Sequence, residues 1–218
     1  MNEFDLGIVA RSWSFLGKGL LLSFLLVAVA TIGGMVLGLG LALARESSRR
    51  YFAVPAMVYV TVIRALPLIL VLFWFYFMLP LVTGRPVGAL TSALVAFVLF
   101  EAAFYCEIIR AGIRSVDRGQ ASAALATGMR PAQVARLVVL PQAMRAMVPI
   151  FLNQIIVVFQ DTSLVYVVAL TDFMTAAAIV AERDGRPVEM YTTVALVYLA
   201  ICFLLSRFVV ILQRRGER

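Results

Sequence analysis

The 218-residue chain contains no histidine, one lysine, two cysteines and few charges of either sign. Without histidine, the commonest general base and metal ligand is missing, so Ser-His-Asp, Cys-His and zinc-hydrolase sites are excluded together. The lysine, Lys18, is followed by Gly19, so the GxxxxGK[ST] loop that cradles nucleotide phosphates cannot be written anywhere. Cys106 and Cys202 lie in separate apolar stretches, which excludes a disulfide framework and a CxxC site and leaves both as packing residues. Charged residues make up 14% and apolar residues 63%, against about 25% and about 45–50% in soluble domains. This is the composition of a membrane protein.

A helix crosses the hydrocarbon core with about 20 apolar residues, and five runs reach that length: 19–44, 51–82, 87–106, 147–170 and 191–212. The first carries no charge. It does not read as a cleaved signal, because Glu3 and Asp5 stand where a basic segment belongs. Basic residues group in alternate connections: Arg45, Arg49 and Arg50 after the first run, Arg110, Arg114, Arg118, Arg130, Arg136 and Arg145 after the third, and Arg207, Arg214, Arg215 and Arg218 at the end. Cytoplasmic loops concentrate Arg and Lys, so the expectation is an all-α integral membrane protein of five spans, N-terminus outside and C-terminus cytoplasmic. The excess of basic over acidic residues is then a product of topology and calls for no nucleic acid. No internal repeat is present, and residues 1–218 read as one integral membrane domain.

The connection over about 110–146 is long and carries structure of its own. Gly119 to Gly128 is alanine-rich and ends on a glycine suited to a helix C-terminus. Pro131 can open a second helix in which Val134, Leu137 and Val138 form an apolar stripe, and Leu140-Pro141 is expected to end it. Two readings stand: a compact knob that fits a partner's groove, or an amphipathic hairpin on the bilayer surface.

Several strings here resemble the permease subunits of ATP-binding-cassette importers for polar amino acids. They are EIIRAGIRSVDRGQ from Glu107, LPQA from Leu140, the Asn153-Gln154 pair and QDTSL from Gln160. The family's signature loop is similar to Ala123-Ala124, Gly128 and Leu140-Pro141. Ser122 stands where that loop has glutamate, and Gln160 where many relatives have lysine. FQDTSLVYVVAL from Phe159, ERDG from Glu182 and VEM from Val188 look most like the glutamate/aspartate-importing members. The resemblance implies a second permease subunit of similar fold, two copies of a cytoplasmic ATPase and a periplasmic substrate-binding protein, in the bacterial inner membrane. It also implies that Gly119, Gln120, Ser122, Ala123, Ala124, Gly128, Leu140 and Pro141 form a coupling helix region that meets the ATPase. ATP is then used by the partner, and this chain binds no cofactor or metal and performs no covalent chemistry.

Three ionisable residues fall inside the runs: Arg64, Glu101 and Asp161. Each costs about 2.5–3.5 kcal/mol at mid-membrane, so each must be paired or face an aqueous cavity. Pro67 removes a backbone donor one turn beyond Arg64 and predicts a kink. Gln160, Asp161, Thr162 and Ser163 together cover most of a helix circumference, which predicts a local unwinding that lines a cavity. Arg64, Pro67, Glu101, Gln160, Asp161, Thr162 and Ser163 are therefore the candidate substrate path, with Arg64 best suited to grip a carboxylate. Against this stands a purely structural pair, Arg64 with Glu101 or with Asp161. Gly34 and Gly38 predict close helix packing, Glu107 and Arg110 a surface ion pair, and Phe73 to Phe77 a lipid- or partner-facing aromatic cluster. The rival to an ATP-driven importer subunit is an ion channel or ion-coupled transporter using Glu101 and Asp161.

Overall fold

The structure, a computed structural model, describes residues 7–216; Glu3, Asp5 and Arg218, which entered the topology argument, lie outside the described residues. The order is α1 (Gly7–Arg45), α2 (Arg50–Arg64), α3 (Leu68–Thr83), α4 (Ala89–Arg114), α5 (Arg118–Ala126), α6 (Pro131–Val134), a π-helical turn (Ala135–Val139), α7 (Leu140–Asp161), a 3-10 stretch (Thr162–Val168), α8 (Phe173–Asp184) and α9 (Pro187–Gly216). Gly7–Arg45, Ala89–Arg114, Pro131–Val168 and Pro187–Ile211 are each long and apolar enough to cross a membrane. The pair α2 and α3 meets that test jointly and bends by 112° at its junction.

The first helix starts well before the apolar run and passes through Lys18. Its buried residues, Ile8, Ser12, Leu16, Gly19, Ser23, Leu26, Ala30, Gly34, Gly38 and Ala42, recur every three or four positions along the whole length. That period draws one continuous stripe on a helix surface. The far half of the stripe receives α4: a Cβ added at Gly34 would sit 2.8 Å from the Glu101 Cβ, and one at Gly38 2.8 Å from the Tyr105 Cβ and 2.9 Å from the Cys106 nitrogen. The glycines therefore allow the close packing their spacing predicts. The near half receives α8, where a Cβ at Gly19 would meet the Asp172 carbonyl oxygen at 2.6 Å. Cys106 is fully buried in the α1–α4 seam, a packing residue as expected.

Helix α8 falls between the runs 147–170 and 191–212, where the sequence reading places no helix. Asp172 caps it by accepting from the Met174 and Thr175 backbone N–H groups at 3.0 Å. Phe173, Ala176, Ala177, Val180 and Ala181 form its buried face, so the three-and-four spacing was in the sequence, masked by the charges at Glu182, Arg183 and Asp184.

Two further corrections concern breaks. At Pro67 the chain does not merely kink but ends α2 and restarts as α3, because Pro67 has no N–H for the Ile63 carbonyl, which the Leu66 N–H takes at 3.2 Å. At Leu140-Pro141 the expected stop is absent and the helix runs on into α7. The Pro141 ring would strike the Leu137 carbonyl in a regular α-turn. The turn before it is instead widened to π geometry, with the Leu140 N–H bonded to the Ala135 carbonyl.

Candidate functional site

The ends of α1, α2 and α4 carry a lattice of ion pairs. Glu107 on α4 bonds Arg45 of α1 and lies 3.7 Å from both Arg110 and Arg64. Glu46 accepts from Arg110 at 3.1 Å and from Arg114 at 3.2 Å. Helix α4 accordingly continues past the expected span end at Cys106 to Arg114, because Glu107, Arg110 and Arg114 find partners there. Arg64 pairs with neither Glu101 nor Asp161. Its guanidinium lies 5.6 Å over the Phe104 ring and shares Glu107, and its side chain is 44% exposed, so the structural pairing considered for it is replaced by a loose hold. The Glu107–Arg110 pair is present as one edge of this lattice, but with Arg110 buried rather than on the helix surface where it was expected.

The hydrogen bond from Arg110 holds the Glu46 carboxyl below the usual carboxylate range. A lowered folded value means the stabilisation is complete above the ordinary carboxylate value near pH ~4.3 and is lost as pH falls through the lowered one. Glu46 is half exposed, so solvent screening keeps the effect well below about 1 kcal/mol. Glu46→Gln is expected to lower the melting temperature slightly at neutral pH and low salt, and the difference should vanish in acid and in high salt.

Along α7 the polar residues divide between two faces. Gln154 faces α4 and donates from Nε2 to the Glu101 Oε2 at 2.9 Å, while Asn153 and Gln160, seven apart, lie exposed on another face, where Gln160 Nε2 also donates to the Cys202 sulfur of α9 at 3.9 Å. Glu101 is fully buried. Asp161 is half-buried at the end of α7. The predicted unwinding at 160–163 is instead a tightening to 3-10 geometry over Thr162–Val168, closed by Ala169 at φ +58°. Thr162 and Ser163 donate their hydroxyls to the Phe159 and Gln160 carbonyls, both at 2.8 Å, taking up acceptors that the changed helix frees. Thr162 is thereby buried. Ser163 lines a cavity of about 400 Å³ with Tyr166, Thr175 and Glu182 between the 3-10 stretch and α8. Asn153 and Gln154 join the candidates here, having entered the sequence reading only through the resemblance. The signal was their pairing on a span whose other face is apolar.

The α5–α6 hairpin follows the expectation at Gly128, which has φ +87°. Its N–H bonds the Leu125 carbonyl at 3.0 Å and the Met129 N–H the Ala124 carbonyl at 3.4 Å, a closed C-terminal turn that satisfies the last carbonyls of α5. Asp117 caps the other end by accepting from the Gly119 N–H at 2.6 Å. Gly119, Gln120, Ser122, Ala123, Gly128, Leu140 and Pro141 are exposed, whereas Ala124 is buried. The expected stripe divides: Val134 packs inward and Leu137 points out, 61% exposed. Together with Leu125 and Leu140, also exposed, it leaves an apolar surface on the hairpin.

A family model for binding-protein-dependent transport system inner membrane components matches residues 34–218. The glutamate/aspartate import permease protein GltK of Escherichia coli O6:H1 is 46% identical over 99% of both chains. A chain in the crystal structure of an amino acid ABC transporter superposes with a TM-score of 0.91 at 30% identity, covering 99% of this chain and 100% of that one. A chain of the inward-facing MetNI methionine ABC transporter gives 0.77 at 19% identity, covering all of both, and is similar in fold. Members of the family are permease components without an ATP-binding site of their own and work with a separate ATPase, which agrees with the missing phosphate loop. The helices long and apolar enough to cross a membrane and these similarities converge: the chain belongs to the binding-protein-dependent transport system inner membrane components, as a permease subunit of an amino-acid ABC importer.

Proposed function

We propose that this chain forms half of the translocation path for glutamate and aspartate. The observation that carries the substrate class is the 46% identity to GltK along the whole chain. In this reading the α2–α3 pair counts as one broken span, giving five crossings with the N-terminus outside and the C-terminus cytoplasmic. The basic residues of 45–50, 110–145 and the tail then share the cytoplasmic side.

The outward face of α7, with Asn153 and Gln160, forms the path wall together with Asp161 and Ser163. An exposed polar face on a span has no place against lipid. Arg64 stands at the broken span, half exposed and loosely held, free to turn a guanidinium toward a substrate carboxylate. Pro67 holds that break open. Glu101 and Thr162 are enclosed and act through their neighbours.

On the cytoplasmic side, the α5–α6 hairpin is the coupling element. Its exposed apolar and small residues, Leu125, Leu137, Leu140 and Ala123 among them, are offered to a groove on the ATPase. A second permease subunit, two copies of the ATPase and a periplasmic binding protein complete the assembly in the bacterial inner membrane, and this chain holds no cofactor.

The test of substrate class is competition. Uptake of labelled glutamate by the assembled complex should fall with excess unlabelled aspartate and stay near its starting rate with excess glutamine or arginine. Equal competition by glutamine would remove the acidic-substrate assignment.

A further inference from the structure

One fully buried carboxyl group lies where three helices meet. Glu101 Oε2 accepts from Gln154 Nε2 at 2.9 Å, and Glu101 Oε1 has no hydrogen-bond partner. A carboxyl group enclosed among apolar helices is costly unless it is hydrogen-bonded, and the bond from Gln154 is the one that offsets the cost here. One turn along, Tyr105 of α4 packs against Phe151 of α7 with ring centroids 5.6 Å apart. The α4–α7 seam is thus set by a ring contact and a hydrogen bond on successive turns. Behind Glu101 stands Gly34 of α1, so near that an added Cβ would be 2.8 Å from the Glu101 Cβ. Glu101 cannot step back.

Helix α7 itself lies between two irregular stretches, the π turn Ala135–Val139 and the 3-10 stretch Thr162–Val168. Such breaks are where a helix can change its winding. Between them α7 carries one interior proline, Pro149, and beyond it residues 150–161 form one helical segment whose rotation about its own axis decides which residues face outward. Adjacent residues on a helix point about 100° apart, so holding Gln154 against α4 turns Asn153 outward, and Gln160 two turns later with it.

We infer that Glu101 is a positioning residue: by anchoring Gln154 it sets the rotation of α7 and so presents Asn153 and Gln160 to the translocation path. This rests on the reading of α7 as path wall given under Proposed function.

The test uses the full complex in proteoliposomes, with Cys106→Ala and with Cys202→Ser, whose hydroxyl keeps an acceptor for Gln160, and single cysteines introduced as Asn153→Cys, Gln160→Cys or, as an outward apolar control on α9, Leu199→Cys. The readout is the rate of reaction with a small anionic thiol reagent, which does not depend on turnover. Glu101→Ala and Gln154→Ala should each slow labelling at 153 and 160 by about tenfold, the population change that goes with losing one buried hydrogen bond. Labelling at 199 should not change. Glu101→Gln keeps an acceptor oxygen and should restore the parent rates. Because the two alanine variants remove the bond from opposite sides, a fold defect in one leaves the other to decide.

Unchanged rates at 153 and 160 in an assembled alanine variant would overturn the inference. So would an equal change at all three positions, which is general loosening. If 153 and 160 do not react in the parent protein, the path reading fails and this one fails with it.

Discussion

Gly38→Ala is expected to destabilise the protein by about 1–3 kcal/mol, the usual range for overpacking a tight interior, and Gly38→Val to prevent assembly. The neighbours a Cβ would strike are the Tyr105 Cβ at 2.8 Å, the Cys106 backbone nitrogen at 2.9 Å and the Ala102 carbonyl oxygen at 3.0 Å. None is the end of a flexible side chain, so relief requires α1 and α4 to separate. The control lies two residues away. Gly40 has nothing within 4 Å of the same added atom, and Gly40→Ala should be neutral or stabilise by up to about 1 kcal/mol from helix propensity alone. Thermal unfolding of the two alanine variants in the same detergent checks this. Equal behaviour would mean that the α1–α4 seam is not as tight as described.

Gly128→Pro should abolish coupling. The position requires φ +87° and an N–H that bonds the Leu125 carbonyl; proline fixes φ near −65° and has no N–H. The closing turn of α5 cannot form, and the hairpin loses the geometry that carries Leu125 and Leu137. Gly128→Asn, which tolerates a left-handed conformation, should keep most activity. Gly128→Val, with strain of about 1–3 kcal/mol, should fall between. The expected result in reconstituted complexes is a more than tenfold loss of ATP-dependent uptake in the proline variant, about what 1.4 kcal/mol or more of lost coupling gives. Substrate binding by the separate binding protein should be unaffected.

Much of the architecture was legible because membrane helices announce themselves by uncharged runs, and because glycines at 34 and 38 have few other uses in a span. The features that escaped share a cause: they depend on partners distant in sequence. Arg64 is three residues from Pro67 and looked like a lone mid-membrane charge, yet it reaches Glu107 at the end of α4, because α2 ends at the break and leaves Arg64 beside α4. Pro141 read as a stop because the standard α-turn has no room for its ring; a π turn makes the room without ending the helix. The charges of α8 hid a buried apolar face whose partner, the Gly19 end of α1, lies about 150 residues earlier, as the hydrogen bond from the Phe173 N–H to the Ser23 hydroxyl shows. At the proposed path wall, residue types were readable and their orientation was not. Gln154 and Asn153 are neighbours in sequence, and only the position of Glu101 says which one turns inward.

The central claim, a permease subunit that moves acidic amino acids only when a separate ATPase works on it, is tested most directly by uptake. Proteoliposomes would hold this chain with its second permease subunit, ATPase and binding protein, with ATP inside or absent and with proton or sodium gradients imposed separately. Glutamate uptake that requires internal ATP and ignores the gradients is the result the account predicts. Uptake that proceeds without ATP and follows a proton or sodium gradient would contradict it and make Glu101 and Asp161 ion carriers instead.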